Sequence, residues 1–361
     1  MTHRTFAEVI APYQSAGKKP TLLIGNGFSI SWSPEVFRYQ AILEQADETD
    51  AFATASEYAR TLFNALNNTS DFEEVAKALT TSSTVSKHYQ CSDKHTLDKM
   101  KTDICHIQNI LVETIAKHHP VNSLAITEEQ YEAAKAFLSN FGKIYTINYD
   151  LLLYWVINKY LDELPFKDRF EDPVAGWLAD GEEYYEEEYV KWSLGNEANA
   201  SLFYLHGALH LYDAGHEVRK YSQRRTGINL KEQILSSLNK GMYPLFVSGG
   251  DSQEKMEKIN HSGYLSRCYR SLQSKGGSAF CFGMSFKPND SHIMEAIAYS
   301  PMSKLYVSVL GNITDAANQD LAASMERIKA LREQQIRNTR KRTTIEIEYF
   351  DAASANVWGN Q

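Results

Sequence analysis

Seven short runs rich in β-branched and aromatic residues punctuate this chain: 21–24, 143–147, 202–205, 244–248, 279–282, 304–309 and 343–350. Longer segments with helical spacing separate them. Several runs are apolar without alternation, as strands covered on both faces must be. Strands alternating with helical patterns predict an α/β fold, a Rossmann-like parallel sheet with flanking helices. At 361 residues, 43% of them apolar, the chain is long enough for one large core.

The first two runs lie more than a hundred residues apart, whereas a crossover needs only about a dozen. Helical patterns at 34–45, 50–66, 71–79 and 97–118 fill the gap, so a helical insertion or subdomain is expected over 33–142. A second, irregular insertion is expected over 166–200, holding Trp177 and Trp192. Some helix starts are legible. Ser33 before Pro34 reads as an N-cap, and Ser70 with Glu73 and Thr127 with Gln130 read as capping boxes. Gly142 is expected to end the helix that leads into the run at 143.

Charge and cysteine use exclude several classes. The net charge of −8 argues against a general nucleic-acid surface. The acidic stretch 180–188 and the basic stretch 337–342 read as solvated faces. Cys91, Cys105, Cys268 and Cys281 form no C-x-x-C pair and are expected to be free thiols. His118-His119, beside Pro120, is the one adjacent histidine pair, and no tight ligand spacing appears, so no metal is expected. No eighteen-residue apolar stretch is present, and residues 1–20 lack a signal peptide's apolar core. The expectation is a cytoplasmic protein without membrane association.

Four motifs carry candidate chemistry. In the first, Thr21-Leu-Leu-Ile-Gly-Asn-Gly-Phe-Ser29, a strand runs into Gly25, Asn26 and Gly27. Glycines there allow close approach of a phosphate, and a following helix would present its N–H groups; a plain strand-to-helix turn fits equally. In the second, Tyr145-Thr-Ile-Asn-Tyr-Asp150, Asn148 and Asp150 fall just past a strand, at the edge where open α/β sheets bind ligands. Both residues also suit a turn. In the third, Phe203-Tyr-Leu-His-Gly207, His206 is a proton acceptor suited to neutral pH. In the fourth, Gly283 and Ser285 end a strand, and Asp290 either caps the next helix or joins the site with His292 near by.

In content and order these motifs resemble the sirtuin family: Gly25–Ser29, then Asn148/Asp150, then His206-Gly207, then Gly283/Ser285. The likeness is closest to the sirtuin-like NAD⁺ hydrolases of bacterial anti-phage defence and covers about residues 21–311. It implies NAD⁺ as substrate and cleavage of its nicotinamide–ribose bond. The glycine loop with Ser29 would hold the pyrophosphate, and Asn148 the nicotinamide ribose and attacking water. Asp150 would contact the carboxamide, His206 would be the general base, and Gly283 and Ser285 would line the adenosine half. The loop reads Gly-Asn-Gly where sirtuins have Gly-Ala-Gly. The four zinc cysteines of protein-deacylating sirtuins are missing, since Cys268 alone lies between Gly207 and Ser278. That favours NAD⁺ hydrolysis over an NAD⁺-dependent protein deacylase, and retention of Asn148 and His206 favours an enzyme over a non-catalytic NAD⁺ or ADP-ribose sensor. No G-x-x-x-x-G-K-[ST] loop is present. Control is therefore expected from a homo-oligomer whose contacts use the helical insertion, with Phe52, Tyr58, Leu62, Phe63 and Leu66 on one broad helix; a helix that only covers the sheet fits nearly as well. By analogy with such defence systems, a partner ATPase is the other candidate.

Overall fold

The computed structural model describes residues 3–171, 176–177, 183–184, 187–193, 200–249, 251–339 and 343–359. Its centre is a parallel sheet of β1 (Thr21–Ile24), β2 (Lys143–Thr146), β3 (Leu202–Tyr204), β4 (Gly277–Phe282), β5 (Met302–Val309) and β6 (Glu346–Asp351). The spatial order is β6-β5-β4-β1-β2-β3, with every pair parallel. The chain steps outward from β1 to β3, returns to the centre, and steps outward the other way from β4 to β6. The reversal between β1 and β4 is the topological switch of a Rossmann-like sheet, the place where such sheets open a ligand crevice beyond their carboxyl ends. β1 is buried at all four positions, in keeping with its unbroken apolar run.

Flanking helices close the sheet. The Phe280 ring of β4 lies 4.4 to 6.1 Å from the rings of Phe6, Tyr13, Phe141, Tyr306 and Phe350. Such large buried rings dominate core stability, about 3–5 kcal/mol for each truncated to alanine. Helix Glu128–Leu138 starts at Thr127 with the expected reciprocal capping box to Gln130.

The 244–248 run departs from expectation. Its strand, Pro244–Phe246, joins a separate antiparallel sheet with Gly207–Asp213, Val218–Tyr221, Tyr189–Trp192 and Phe170–Glu171. The 166–200 segment therefore contributes two strands to that sheet, besides a short pairing of Gly176–Trp177 with Glu183–Tyr184. Much of the acidic stretch 180–188, and 340–342 of the basic one, lie outside the described residues. The chain turns from β3 into the second sheet at Gly207. This residue sits at φ +79°, and a Cβ there would lie 1.8 Å from the Leu245 carbonyl oxygen, so only glycine fits.

The 33–142 insertion is helical: Pro34–Phe37, Tyr39–Glu48, Glu57–Ala65, Phe72–Tyr89 and Lys94–His118. Ser70 does not cap the fourth of these. Asp71 does, accepting from the N–H groups of Glu73 and Glu74, because its carboxylate sits one residue nearer the first turn. Nor do the five apolar residues expected at an oligomer contact form one exposed face. Phe63 is buried against Phe52 and Phe72, and of the five only Tyr58 is exposed. The insertion spends this apolar surface on its own packing.

Candidate functional site

A cavity of about 810 Å³ opens at the carboxyl edge of the sheet, on the switch between β1 and β4. Each strand of the sheet delivers residues to it at its end: His206 after β3, Asn148 and Asp150 after β2, Asn26 and Gly27 after β1, Gly283 and Ser285 after β4, Leu310 after β5, and Ala352 after β6. Asp290 completes the sequence-derived residues on the wall; Gly25 and Ser29 are not on it.

The two glycine loops meet backbone to backbone. Gly25 N–H donates to Phe282 O and Gly27 N–H to Gly283 O, each at 2.9 Å. A Cβ on Gly27 would lie 2.4 Å from Gly283 Cα. Phe28 and Ser29 N–H donate to the carbonyls of Gly25 and Asn26, and the helix that follows, Gly27–Ile30, is a single turn. The expected phosphate cradle of free N–H groups is therefore not formed by Gly25, Gly27, Phe28 or Ser29. The glycines are needed for the contact between loops. Asn26 ties the β1 loop to the insertion, donating from Nδ2 to Phe37 O at 2.9 Å.

Ser29 holds the β2 loop. Its hydroxyl is wholly buried, donates to Asp150 Oδ2 at 2.6 Å and accepts from Asn148 Nδ2 at 3.0 Å. Asp150 also accepts from Leu152 N–H at 2.9 Å. Burial pushes the Asp150 carboxyl above its ordinary pKa, and the Ser29 and Leu152 hydrogen bonds pull it partly back. Leu151 N–H donates to His119 Nε2 at 3.0 Å, so His119 pegs the same loop. Nδ2 of Asn148 is committed to Ser29, and Oδ1 of this residue of the cavity wall is buried and has no hydrogen-bond partner. A buried acceptor left open in this way is costly unless something fills it.

At the inner end, His206 Nε2 faces His292 Nε2 at 2.8 Å. Burial holds both imidazoles below their usual pKa, His292 at about 4, with the nearby Asp290 carboxylate opposing the shift. Both rings are neutral at pH 7, and a single proton can lie between the facing nitrogens. Asp290 precedes helix Ser291–Tyr299 without capping it through its side chain. Its Oδ1 accepts instead from Lys255 Nζ at 2.8 Å, and the same ammonium reaches Glu73 Oε2 at 3.1 Å. Lys255 is fully buried. Burial pushes both carboxyls up, but the ammonium lies nearer Asp290 and holds it below its ordinary value, while Glu73 ends above its own. Asn289 Nδ2 donates to Glu73 Oε2 at 2.9 Å, and Lys287 pairs with Asp71.

Glu73, Asp71, Lys255 and Lys287 escape sequence reading. Glu73 matches a capping-box glutamate, and nothing marks Lys255 on its polar helix as buried. The helical insertion, left without a chemical task by its sequence, thus supplies two carboxylates to the site. Spacing also hides a possible ligand set: His206, Asp290 and His292 offer metal-ligating atoms all within 4.8 Å of one another.

A six-stranded parallel sheet with this strand order and a polar cavity at its switch defines a Rossmann-like α/β protein with its site at the carboxyl edge. The chain belongs to the DUF4917 family: that family's model, described as a domain of unknown function, matches residues 22–358. No curated protein matches the chain. Among the described residues no helix is long and apolar enough to cross a membrane.

Proposed function

We propose that this protein hydrolyses NAD⁺ to ADP-ribose and nicotinamide. The observation that carries the reading is the unpartnered, buried Oδ1 of Asn148, one strand away from His206 on the wall of the same cavity. The cavity is lined from His206 beyond β3 to Ala352 beyond β6. At about 4.8 Å per strand this is about 24 Å, room for an extended dinucleotide. Its volume falls in the range of small-molecule sites.

In this reading a ribose hydroxyl of the substrate donates to Asn148 Oδ1. Nicotinamide leaves as a neutral molecule, and the ribose passes through an oxocarbenium-like state, as in glycoside cleavage. Water adds to the ribose carbon and gives its proton to the neutral His206 imidazole, which passes it to solvent; general-base help of this kind contributes about 10² to 10⁴ in rate. Glu73 and Asp290, opposed by the single ammonium of Lys255, supply negative charge near the developing cation. Arg38, exposed on the cavity wall, takes the pyrophosphate in place of the occupied loop N–H groups. Depletion of NAD⁺ in anti-phage defence is the biological role the sirtuin-like motif order suggests.

Incubation of the purified protein with NAD⁺, with and without an acetyl-lysine peptide, tests this. Equal amounts of nicotinamide and ADP-ribose are expected without peptide. Release only with peptide would make the protein a deacylase, and saturable NAD⁺ binding without release would make it a sensor.

A further inference from the structure

The facing imidazoles at the inner end of the cavity have a second chemistry. Two nitrogen ligands on an ion at 2.0–2.1 Å stand about 2.9 Å apart when they subtend a right angle. His206 Nε2 and His292 Nε2 lie 2.8 Å apart, hydrogen-bonded to each other, at the right-angle spacing; the tetrahedral arrangement that zinc prefers would open it to about 3.3 Å. With Asp290 they form a set of two histidines and one carboxylate, the donor set of transition-metal sites that keep open positions. All three are buried, and His206 and Asp290 lie on the cavity wall, which gives an ion an entry path.

The surroundings orient these ligands as an outer shell does. Ser252 Oγ lies 3.3 Å from His292 Nδ1 and accepts the His292 backbone N–H at 2.8 Å, holding the ring with Nε2 toward His206. Lys255 donates to Asp290 Oδ1. A carboxylate has about four lone-pair sites, so this bond leaves acceptors for an ion and fixes the group's orientation. Asp290, held below its ordinary pKa by Lys255, brings a carboxylate beside the two imidazoles, which a divalent cation complements. The nearby ammonium also weakens binding and makes the ion exchangeable.

We propose that His206, His292 and Asp290 bind one divalent transition-metal ion of the zinc, cobalt and nickel class, and that the bound ion switches the site off. The inhibitory half rests on the reading of His206 as the proton acceptor of NAD⁺ cleavage: an imidazole nitrogen that ligates an ion has no lone pair for a proton. The ion is an inhibitor and takes no part in turnover.

The test uses chelator-treated full-length protein with Cys91 and Cys105 changed to serine, because these exposed thiols bind soft ions themselves. Titration with Co²⁺, followed by calorimetry and visible absorption, is expected to show one equivalent bound. His206→Ala, His292→Ala and the closer mimic His292→Gln are each expected to lose it while keeping the parent's circular dichroism and melting temperature. Absence of binding, or binding that survives in folded His206→Ala and His292→Ala, overturns the site. Zn²⁺ is then added to the NAD⁺ assay. Nicotinamide release is expected to fall at least tenfold and to return with EDTA. Undiminished cleavage with the site filled, or cleavage that requires the ion, overturns the inhibition. One equivalent bound by a protein that never cleaves NAD⁺ keeps the metal site and overturns the inhibitory role along with the proposed hydrolysis.

Discussion

Lys255 and Arg332 are both buried cations, held at opposite edges of the same sheet, and their partners differ. Arg332, at the amino edge, donates to the backbone carbonyls of Ile297, Ala298, Ser300, Met302 and Thr343. Those five bonds match the five N–H groups of a guanidinium, and they close the approaches to β5 and β6 with neutral acceptors. Lys255, at the carboxyl edge, sits between two carboxylates and near two neutral imidazoles, and the buried Asn148 Oδ1 and Asn289 Oδ1 on the same cavity have no partner. The bonds described at one edge meet the cation with neutral carbonyls. The other keeps ionisable groups and open acceptors around an opening, and that separates scaffold from site.

The sharpest way to break this contrast is at Asn148. Asn148→Ala is expected to lower NAD⁺ cleavage by at least about 10²-fold, because a mispositioned ribose alone costs that much. Losing its bond to Ser29 should cost stability only about 1 kcal/mol. Steady-state kinetics beside urea unfolding check both; a variant that unfolds but keeps turnover per folded molecule would place Asn148 with the scaffold.

The two cations can be set against each other directly. Lys255→Met strands two buried carboxylates and is expected to cost about 3–5 kcal/mol at pH 7. Part of that loss should return toward pH 5 as the carboxyls take up protons. Arg332→Met strands the carbonyls described above, so its destabilisation should change less over the same range. Denaturant unfolding of both variants at pH 7 and pH 5 measures this, and an equal pH response would erase the distinction.

A smaller effect comes from His119, buried with its pKa lowered to about 4, first by desolvation and further by Lys231, against a hydrogen bond to Pro120 that raises it. The unfolded chain, with a histidine pKa near 6.5, binds the proton more readily than the folded one. The stability from neutral His119 is therefore full above about 6.5 and is lost as pH falls toward 4, amounting to about 3 kcal/mol at about 1.36 kcal/mol per pH unit. His119→Asn should flatten this part of the stability profile; an unchanged slope would mean that other groups set it.

The sequence makes the central sheet legible because its strands are short, apolar and non-alternating: the 21–24 run coincides with β1, and the others lie within three residues of the strands. It misplaces Pro244–Phe246, because a three-residue strand carries no mark of which sheet it joins. It hides Gly207–Asp213, which begins at the glycine that follows His206. Part of the cavity wall was legible by one rule, that residues just past parallel strands face a ligand, and this is where Asn148, Asp150, His206, Gly283 and Ser285 lie. The rule is silent on side chains from other elements. Lys255 and Glu73 stand 182 residues apart and meet only after folding. Ser29 shows the opposite failure: the residue type fits a phosphate contact, but the fold uses the hydroxyl to orient Asn148 and Asp150.

In the proposed reaction the carboxyl edge of the sheet performs the chemistry and His206 accepts the proton. Nicotinamide release from NAD⁺ by the wild-type protein and by His206→Ala, with melting temperatures recorded for both, tests it most directly. Steady release by the wild type is expected, with a loss of about 10² to 10⁴ in the variant without loss of fold. Comparable release by both proteins, or intact NAD⁺ with the folded wild type, would contradict it.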